Sequence, residues 1–409
     1  MFNPEYKKYF DKNDSDLRNA YRIFLHVDCE DNGGLQNVCT PYDLCEKIIK
    51  KTNKYRRLKG KKILVVNLEF AIVLLERGHE PSDICFLTDC EQKAKFGKMI
   101  GVEVMSEDFF DFFERVNKEK EVRTWDYVIG NPPYQDFKAK SSKKTWKPFL
   151  RTSIDILKDG GIVAFITPFS WGTPVNDIFD VFQNNQVHFV NLDDKKYFPN
   201  VGTTISWYVI QKNNEPVVTE FLYNEEIINI DLKNVVFLPS DMNKETINIL
   251  KKFLSHSEKL GIQYDFFCEQ RKPIMSKVKD EQFKYPVKHT ASQILYSSVP
   301  HPNTKIKKVI FPISSSMKAE YDGNGKYGCS QHYAWIKVEN KKEGDAVISF
   351  LNSEIIKWLR RVTHWSASWS RPILDLIPNI PKNKCYTNKE IYKIFDISDN
   401  EQKHIQKSL

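Results

Sequence analysis

The sequence predicts an α/β protein: a doubly wound, mostly parallel sheet followed by a C-terminal α+β domain. Two observations predict it. Strand and helix signals alternate from about Leu35 to Lys212, the pattern of parallel strands joined by crossover helices. Beyond Asn213 that alternation stops. A chain of 409 residues suits two or three domains with a sizeable buried core.

Thr40 as N-cap and Pro41 at the first helical position open a helix expected to run through Lys51. Lys61 to Val66 reads as a buried strand and Phe70 to Arg77 as the helix behind it. Asp83 to Thr88 is a second strand, ending at Asp89. Glu103 to Met105 is a third, followed by Asp108. Tyr127 to Ile129 is the fourth and Gly161 to Thr167 the fifth. In such a Rossmann-like sheet, ligands bind beyond the carboxyl ends of the strands. Asn67, Asp89, Asp108 and Asn131 all fall there, so one pocket can collect them. A capping aspartate at a strand–helix junction is the plain alternative for each acid. Past Asn213, Val217 to Tyr223 and Ile227 to Phe237 read as strands, and Lys244 to His256 as an amphipathic helix. From Asp265 the chain is irregular, with interleaved charge and aromatics, until a helix by periodicity over Lys341 to Arg361.

Composition narrows the class. The apolar and charged fractions are those of a globular protein. No stretch approaches ~20 uncharged apolar residues, so no membrane span is expected. Met1 to Asp16 has no apolar segment of the signal-peptide kind. The eight cysteines are scattered without a CxxC pair, as reduced thiols of a cytoplasmic protein are. Cys329 and His332 form a lone CxxH, and no metal site is expected. The net charge of +8 fits a polyanionic partner without demanding one. Basic residues cluster at Lys47–Lys62, at Lys138, Lys140, Lys143, Lys144 and Lys147, and at Lys305, Lys307, Lys308 and Lys318. Each cluster reads either as a solvated face or as contacts to phosphates, which salt would weaken steeply.

The densest chemistry lies at Asn131-Pro132-Pro133-Tyr134, delivered by the strand Trp125-Asp126-Tyr127-Val128-Ile129-Gly130. The tetrad can bind a planar amino group whose lone pair is delocalised into a ring. Two acceptors on its hydrogens return electron density to nitrogen. Asn131 offers a side-chain oxygen and Pro132 a carbonyl. Proline fixes φ and has no competing N–H, and Pro133 forces Pro132 to be extended. Tyr134 can stack on a base swung out of a duplex, worth about 1–3 kcal/mol. Such a site acts by positioning and electrostatics, without a catalytic His or Cys. An ordinary proline turn closing a strand is the alternative.

On these residues the chain resembles the S-adenosylmethionine-dependent DNA adenine-N6 methyltransferases of restriction–modification systems. Asn37-Val38-Cys39-Thr40-Pro41 resembles the Thr-Pro motif before the cofactor domain of that family. Lys147-Pro148-Phe149 and Ile156 to Pro168 resemble the helix, Gly-Gly turn and strand after the tetrad. Tyr197-Phe198-Pro199-Asn200-Val201-Gly202 resembles the later segment whose phenylalanine packs on the flipped base. The resemblance implies a methyltransferase domain over 35–212, an N-terminal extension over 1–34 and a target recognition domain over 213–409. It implies S-adenosylmethionine as cofactor, with Thr40, Asn67, Glu69, Asp89, Asp108 and Phe109 around it. Within that set, Asp89 would take the ribose hydroxyls, Asp108 and Phe109 the adenine, and Asn67 and Glu69 the methionine amino group. Double-stranded DNA is the implied substrate, with Phe198, Lys147, Trp365 and Arg371 contacting it.

One departure stands out. The family's glycine-rich first loop should follow Ile63-Leu64-Val65-Val66, and this chain has Asn67-Leu68-Glu69-Phe70 instead. Fewer glycines leave fewer positions for close backbone approach. A variant cofactor pocket, weak cofactor binding and an inactive relative all remain open. Other readings are a methyltransferase acting on cytosine N4, on RNA or on a protein glutamine, and a catalytically silent DNA-binding homologue. A long region after Lys212 favours an extended substrate. Paired Trp365 and Trp369, with polar neighbours and Arg371, are expected to face a partner. No fused nuclease is expected before the Thr-Pro motif, since a domain needs ~100 residues; a separate restriction endonuclease is an open partner.

Overall fold

The computed structural model describes residues 11–28, 39–119, 125–134, 145–174, 176–199, 204–212, 215, 217–313, 318–365 and 369–409. Asn37, Val38, Lys138, Lys140, Lys143, Lys144, the segment 200–202 and Ser366 to Ser368 lie outside them. The chain forms two compact units: 1–171 with 176–235, and 172–175 with 236–409.

The first unit opens with α1 (Asp16–Asp28) and α2 (Tyr42–Tyr55). There follow β1 (Ile63–Val65), α3 (Leu68–Glu76), β2 (Ile84–Thr88), α4 (Glu91–Met99) and β3 (Glu103–Ser106). Next come α5 (Phe109–Glu119), β4 (Trp125–Gly130), α6 (Trp146–Ile156) and β5 (Leu157–Pro168). The unit ends with α7 (Phe179–Gln183), β6 (Gln186–Asn191), β7 (Ile205–Gln211), β8 (Thr219–Tyr223) and β9 (Glu226–Ile230). Among the described residues these strands make one sheet in the order β3-β2-β1-β4-β5-β7-β6-β8-β9. β3 through β5 run parallel, and β7 enters antiparallel between β5 and β6. The fold is therefore the mostly parallel α/β architecture that the alternation predicts.

Strands buried on both faces explain the unbroken apolar runs. Ile63, Val65, Phe86, Tyr127 and Ile129 share a core with Leu44, Ile48, Phe70 and Leu74 of α2 and α3. On α5 and α6, Phe109 packs edge-on against Phe149, and Phe149 against Phe165 of β5. The N-terminal extension is not merely polar. Tyr21 of α1 is buried against Phe96, and Arg18 bridges Glu46 and Glu76 at 2.6 Å each.

Several boundaries differ from expectation for local reasons. α2 starts at Tyr42 with Pro41 as N-cap and no side-chain cap, because the Thr40 hydroxyl is engaged elsewhere, as described below. β8 pairs parallel with β6, so the 217–230 hairpin belongs to the large sheet and the compact division falls at Val235 rather than Lys212. β9 stops at Ile230, where a 3-10 turn over Leu232–Asn234 is capped by Asp231.

The second unit contains α8 (Lys244–Leu254), β10 (Met275–Ser276), β11 (Tyr285–Lys288), β12 (Ile294–Ser297) and β13 (Lys308–Pro312). It continues with β14 (Glu320–Asp322), β15 (Gly328–Cys329), β16 (Tyr333–Lys337), α9 (Lys341–Leu351) and α10 (Glu354–Val362). It closes with α11 (Arg371–Leu376), α12 (Asn388–Ile394) and α13 (Asp399–Ser408). Among the described residues its strands form a four-stranded and a three-stranded sheet in the stretch that reads as irregular in sequence. Strands of two to five residues are too short to show a period. The single helix expected over Lys341 to Arg361 is two, since Asn352 ends α9 and Ser353 starts α10. Asn388 secures the second start by accepting from the Glu354 N–H at 2.9 Å.

Candidate active site

The site is built where β1 and β4, hydrogen-bonded neighbours, end side by side. Gly130 closes β4, and a Cβ there would lie 2.0 Å from Val66 Cγ2 and 2.9 Å from Asn67 Oδ1. Glycine is therefore what lets the first turn press against the tetrad. Across that contact the Asn131 backbone N–H donates to Asn67 Oδ1 at 2.6 Å. The Asn131 side-chain Nδ2 donates to Thr40 Oγ1 at 3.4 Å. With its backbone N–H and its Nδ2 end each bonded, Asn131 keeps an Oδ1 that is buried and has no hydrogen-bond partner among the described residues. A buried acceptor left unshared costs about 1–3 kcal/mol, so it marks a place where a donor belongs.

Pro132 and Pro133 are buried. The Pro133 carbonyl accepts from the Thr145 hydroxyl, and the Tyr134 carbonyl from the Thr145 N–H at 3.2 Å. The Pro132 carbonyl accepts no hydrogen bond among the described residues. Thr145 is thus a tetrad-holding residue that sequence reasoning missed; its only signal was a threonine just before the helix α6. Tyr134 packs on the large-sheet core. Its hydroxyl is buried without a partner among the described residues, and burial pushes the phenol well above its ordinary range.

Glu69 lies in the first turn of α3 and is 4% exposed. Burial raises its carboxyl, against the nearby charge of Lys93 and hydrogen bonds from its own N–H, the Cys39 thiol and the Thr40 N–H. Lys93, on α4 and also buried, is a second residue that no sequence signal marked. Asp89 and Asp108 stand just past β2 and β3, each half-buried. Phe109 is 2% exposed. Carboxylates just past two strand ends, a buried third in the first turn of α3 and an amide oxygen without a partner among the described residues are acceptors, suited to a ligand rich in hydroxyl and amine donors. That donor set fits a nucleoside cofactor with an amino-acid tail.

The expected DNA contacts fare differently. Lys147 pairs with Asp177, whose carboxyl it holds below the usual range by hydrogen bonding. Phe198 is buried in the core of the first unit. In the second unit Trp365 packs edge-on against Phe237 at 5.4 Å. Trp369 is buried and donates to Thr363 Oγ1 at 2.7 Å, so that tryptophan serves the fold rather than a partner. Arg371 is exposed, its guanidinium 4.9 Å from the Tyr264 ring centre. Part of the basic clustering is structural. Lys47 pairs with Asp194, Lys51 with Glu220 and Arg56 with Asp126. Lys308 is fully buried against Asp322 at 3.2 Å, which removes it from any phosphate-contacting group. Cys329 is buried, its thiol pushed up to about 12.

Comparison with known proteins locates this arrangement. Residues 82–198 match the Eco57I restriction-modification methylase family. The matched methylase segment runs from the entry of β2 to Phe198 and contains the tetrad, Asp89, Asp108 and Thr145; Thr40, Asn67 and Glu69 lie before it. Among solved structures, the DrdV–DNA complex shares 11% identity over 90% of this chain and 58% of its own, with a TM-score of 0.50. The type IIG restriction endonuclease BpuSI shares 12% over 96% and 63%, at 0.46. A putative class I S-adenosylmethionine-dependent methyltransferase from Listeria monocytogenes shares 11% over 50% and 72%, at 0.37. At these identities the likeness is one of fold. The chain spans less than two thirds of the DrdV and BpuSI chains. No curated protein sequence matches it significantly.

Proposed function

We propose that the protein is a site-specific DNA methyltransferase that methylates adenine N6 of an extruded base, as the modification enzyme of a restriction–modification or phage system. The observation that carries this reading is the buried Asn131 Oδ1, which has no hydrogen-bond partner among the described residues, together with the Pro132 carbonyl, which likewise accepts none from them. Two fixed acceptors at the end of a rigid strand draw the two amino hydrogens and return the nitrogen lone pair to nucleophilic use. S-Adenosylmethionine would supply the methyl group as an electrophilic sulfonium. Asp89 would hold ribose hydroxyls, Asp108 and Phe109 the cofactor's adenine, and Glu69 its amino group. Transfer would break the S–CH3 bond and leave S-adenosylhomocysteine as a neutral thioether, and the proton given up by N6 would pass to water, because neither acceptor titrates. Tyr134 and Phe198 would contact the base, and Lys147, Trp365 and Arg371 the duplex. The part after Val235 would read the target, and a separate endonuclease would complete the system.

Methylation-aware sequencing of DNA from cells expressing the protein tests this. The wild type is expected to leave N6-methyladenine in one short motif and Asn131→Ala to leave none. Methylation that persists in Asn131→Ala overturns the role of the tetrad. The glycine-free first turn favours a second reading, a silent DNA-binding homologue. Millimolar S-adenosylmethionine should raise the melting temperature if the site binds it. An unchanged melting temperature, with no methylated motif, would favour the silent homologue.

A further inference from the structure

We infer that Asn67 and Thr40 are positioning residues for the catalytic amide, so that the turn standing where a glycine-rich cofactor loop is expected works on Asn131 instead. The inference rests on the methyltransferase reading and deepens it.

An asparagine amide can turn end for end, and only one orientation presents an oxygen to an amino group. One contact sets that orientation and two brace it. Asn67 Oδ1 fixes the Asn131 backbone through its N–H at 2.6 Å. Thr40 Oγ1 takes the Nδ2 end at 3.4 Å. Glu69 in turn accepts from the Thr40 N–H, which anchors the threonine. The oxygen end is left pointing where no donor of the described residues meets it. Asn67 is the N-cap residue of α3 and yet makes no cap hydrogen bond with its side chain. Thr40 stands one residue before Pro41, the N-cap of α2. Asn67 forgoes the local bond that its residue type favours at a cap, and both side chains bond Asn131 instead. Gly130 supplies the room, since any side chain there would collide with Val66 and Asn67.

The test compares Asn67→Ala with Asn67→Asp, which keeps an accepting oxygen, and Thr40→Val with Thr40→Ser. Single-turnover methylation at saturating DNA and cofactor should fall about ten- to a hundredfold in Asn67→Ala and Thr40→Val. It should recover substantially in Asn67→Asp and Thr40→Ser. Cofactor dissociation constants from calorimetry should stay within about threefold of wild type. Lost cofactor affinity at an unchanged saturated rate would overturn the inference, as would equal losses in the paired variants. A second readout does not need activity: the Asn131 side-chain N–H resonances in protein labelled with 15N-asparagine, assigned by their absence in Asn131→Asp. Thr40→Val should move them upfield as the hydrogen bond is lost, and unmoved resonances would overturn the inference. A wild type that methylates no DNA would defeat the proposed function while leaving this readout decisive.

Discussion

Gly130 concentrates the site's demands in a single absent side chain. It carries no positive φ, so its role is clearance rather than conformational freedom. Gly130→Ala must displace Val66 or the strand end, at a cost of about 1–3 kcal/mol by overpacking. Urea denaturation should register that loss, together with a fall in methylation beyond what stability explains. A variant as stable and active as wild type would show that the close approach is dispensable. In sequence this residue is only the last letter of an apolar run. The tetrad was legible because four consecutive residues carry its chemistry. Thr145 and Lys93 were not, because their roles depend on which strand ends the fold brings together.

At the scale of elements, β4 has two working ends. Asn131 follows its exit, and Asp126 sits near its entry, 3.0 Å from both Arg56 and Lys158. Burial alone would raise the Asp126 carboxyl. Hydrogen bonds from Lys158 and the Lys62 N–H, with the charges of Lys158 and Arg56, outweigh that and hold it below the usual carboxylate value. A lowered native pKa contributes stability above the unfolded value, and the contribution vanishes as pH falls through the native one. Asp126→Asn should therefore be less stable than wild type at pH 7. The two should converge as pH drops below the ordinary aspartate range, in melts followed by circular dichroism. A gap independent of pH would assign the effect to shape alone. The long strands of the sheet were readable because both their faces are buried and their runs stay apolar. The small sheets after Asp265 were not, and the α9–α10 break hides in a periodicity that two adjacent helices share.

For the whole molecule, the arrangement of hydrophobic cores matters more than total burial. The core containing Phe253, Phe311, Phe350 and Trp358 draws all its buried members from Phe237 to Ile405. A unit with its own core folds alone as a rule. The fragment 236–409 should melt cooperatively, with near-ultraviolet circular dichroism showing fixed aromatic packing. A broad, non-cooperative melt would show that this unit needs the rest of the chain. The change of pattern after Lys212 registers strand signals without their partners. β8 and β9 read as a change of domain, whereas pairing between β8 and β6 assigns the hairpin to the large sheet. Pairing across that distance leaves no mark in local sequence.

An amide oxygen buried without a partner among the described residues has an evolutionary price. Replacing Asn131 with an aliphatic residue removes a polar liability from the interior, so the resulting protein should outlast its parent on heating while doing nothing. Selection for robustness alone would then erode the chemistry before the architecture. Lineages in which the proposed methylation is no longer needed would be expected to lose this asparagine early and keep the sheet.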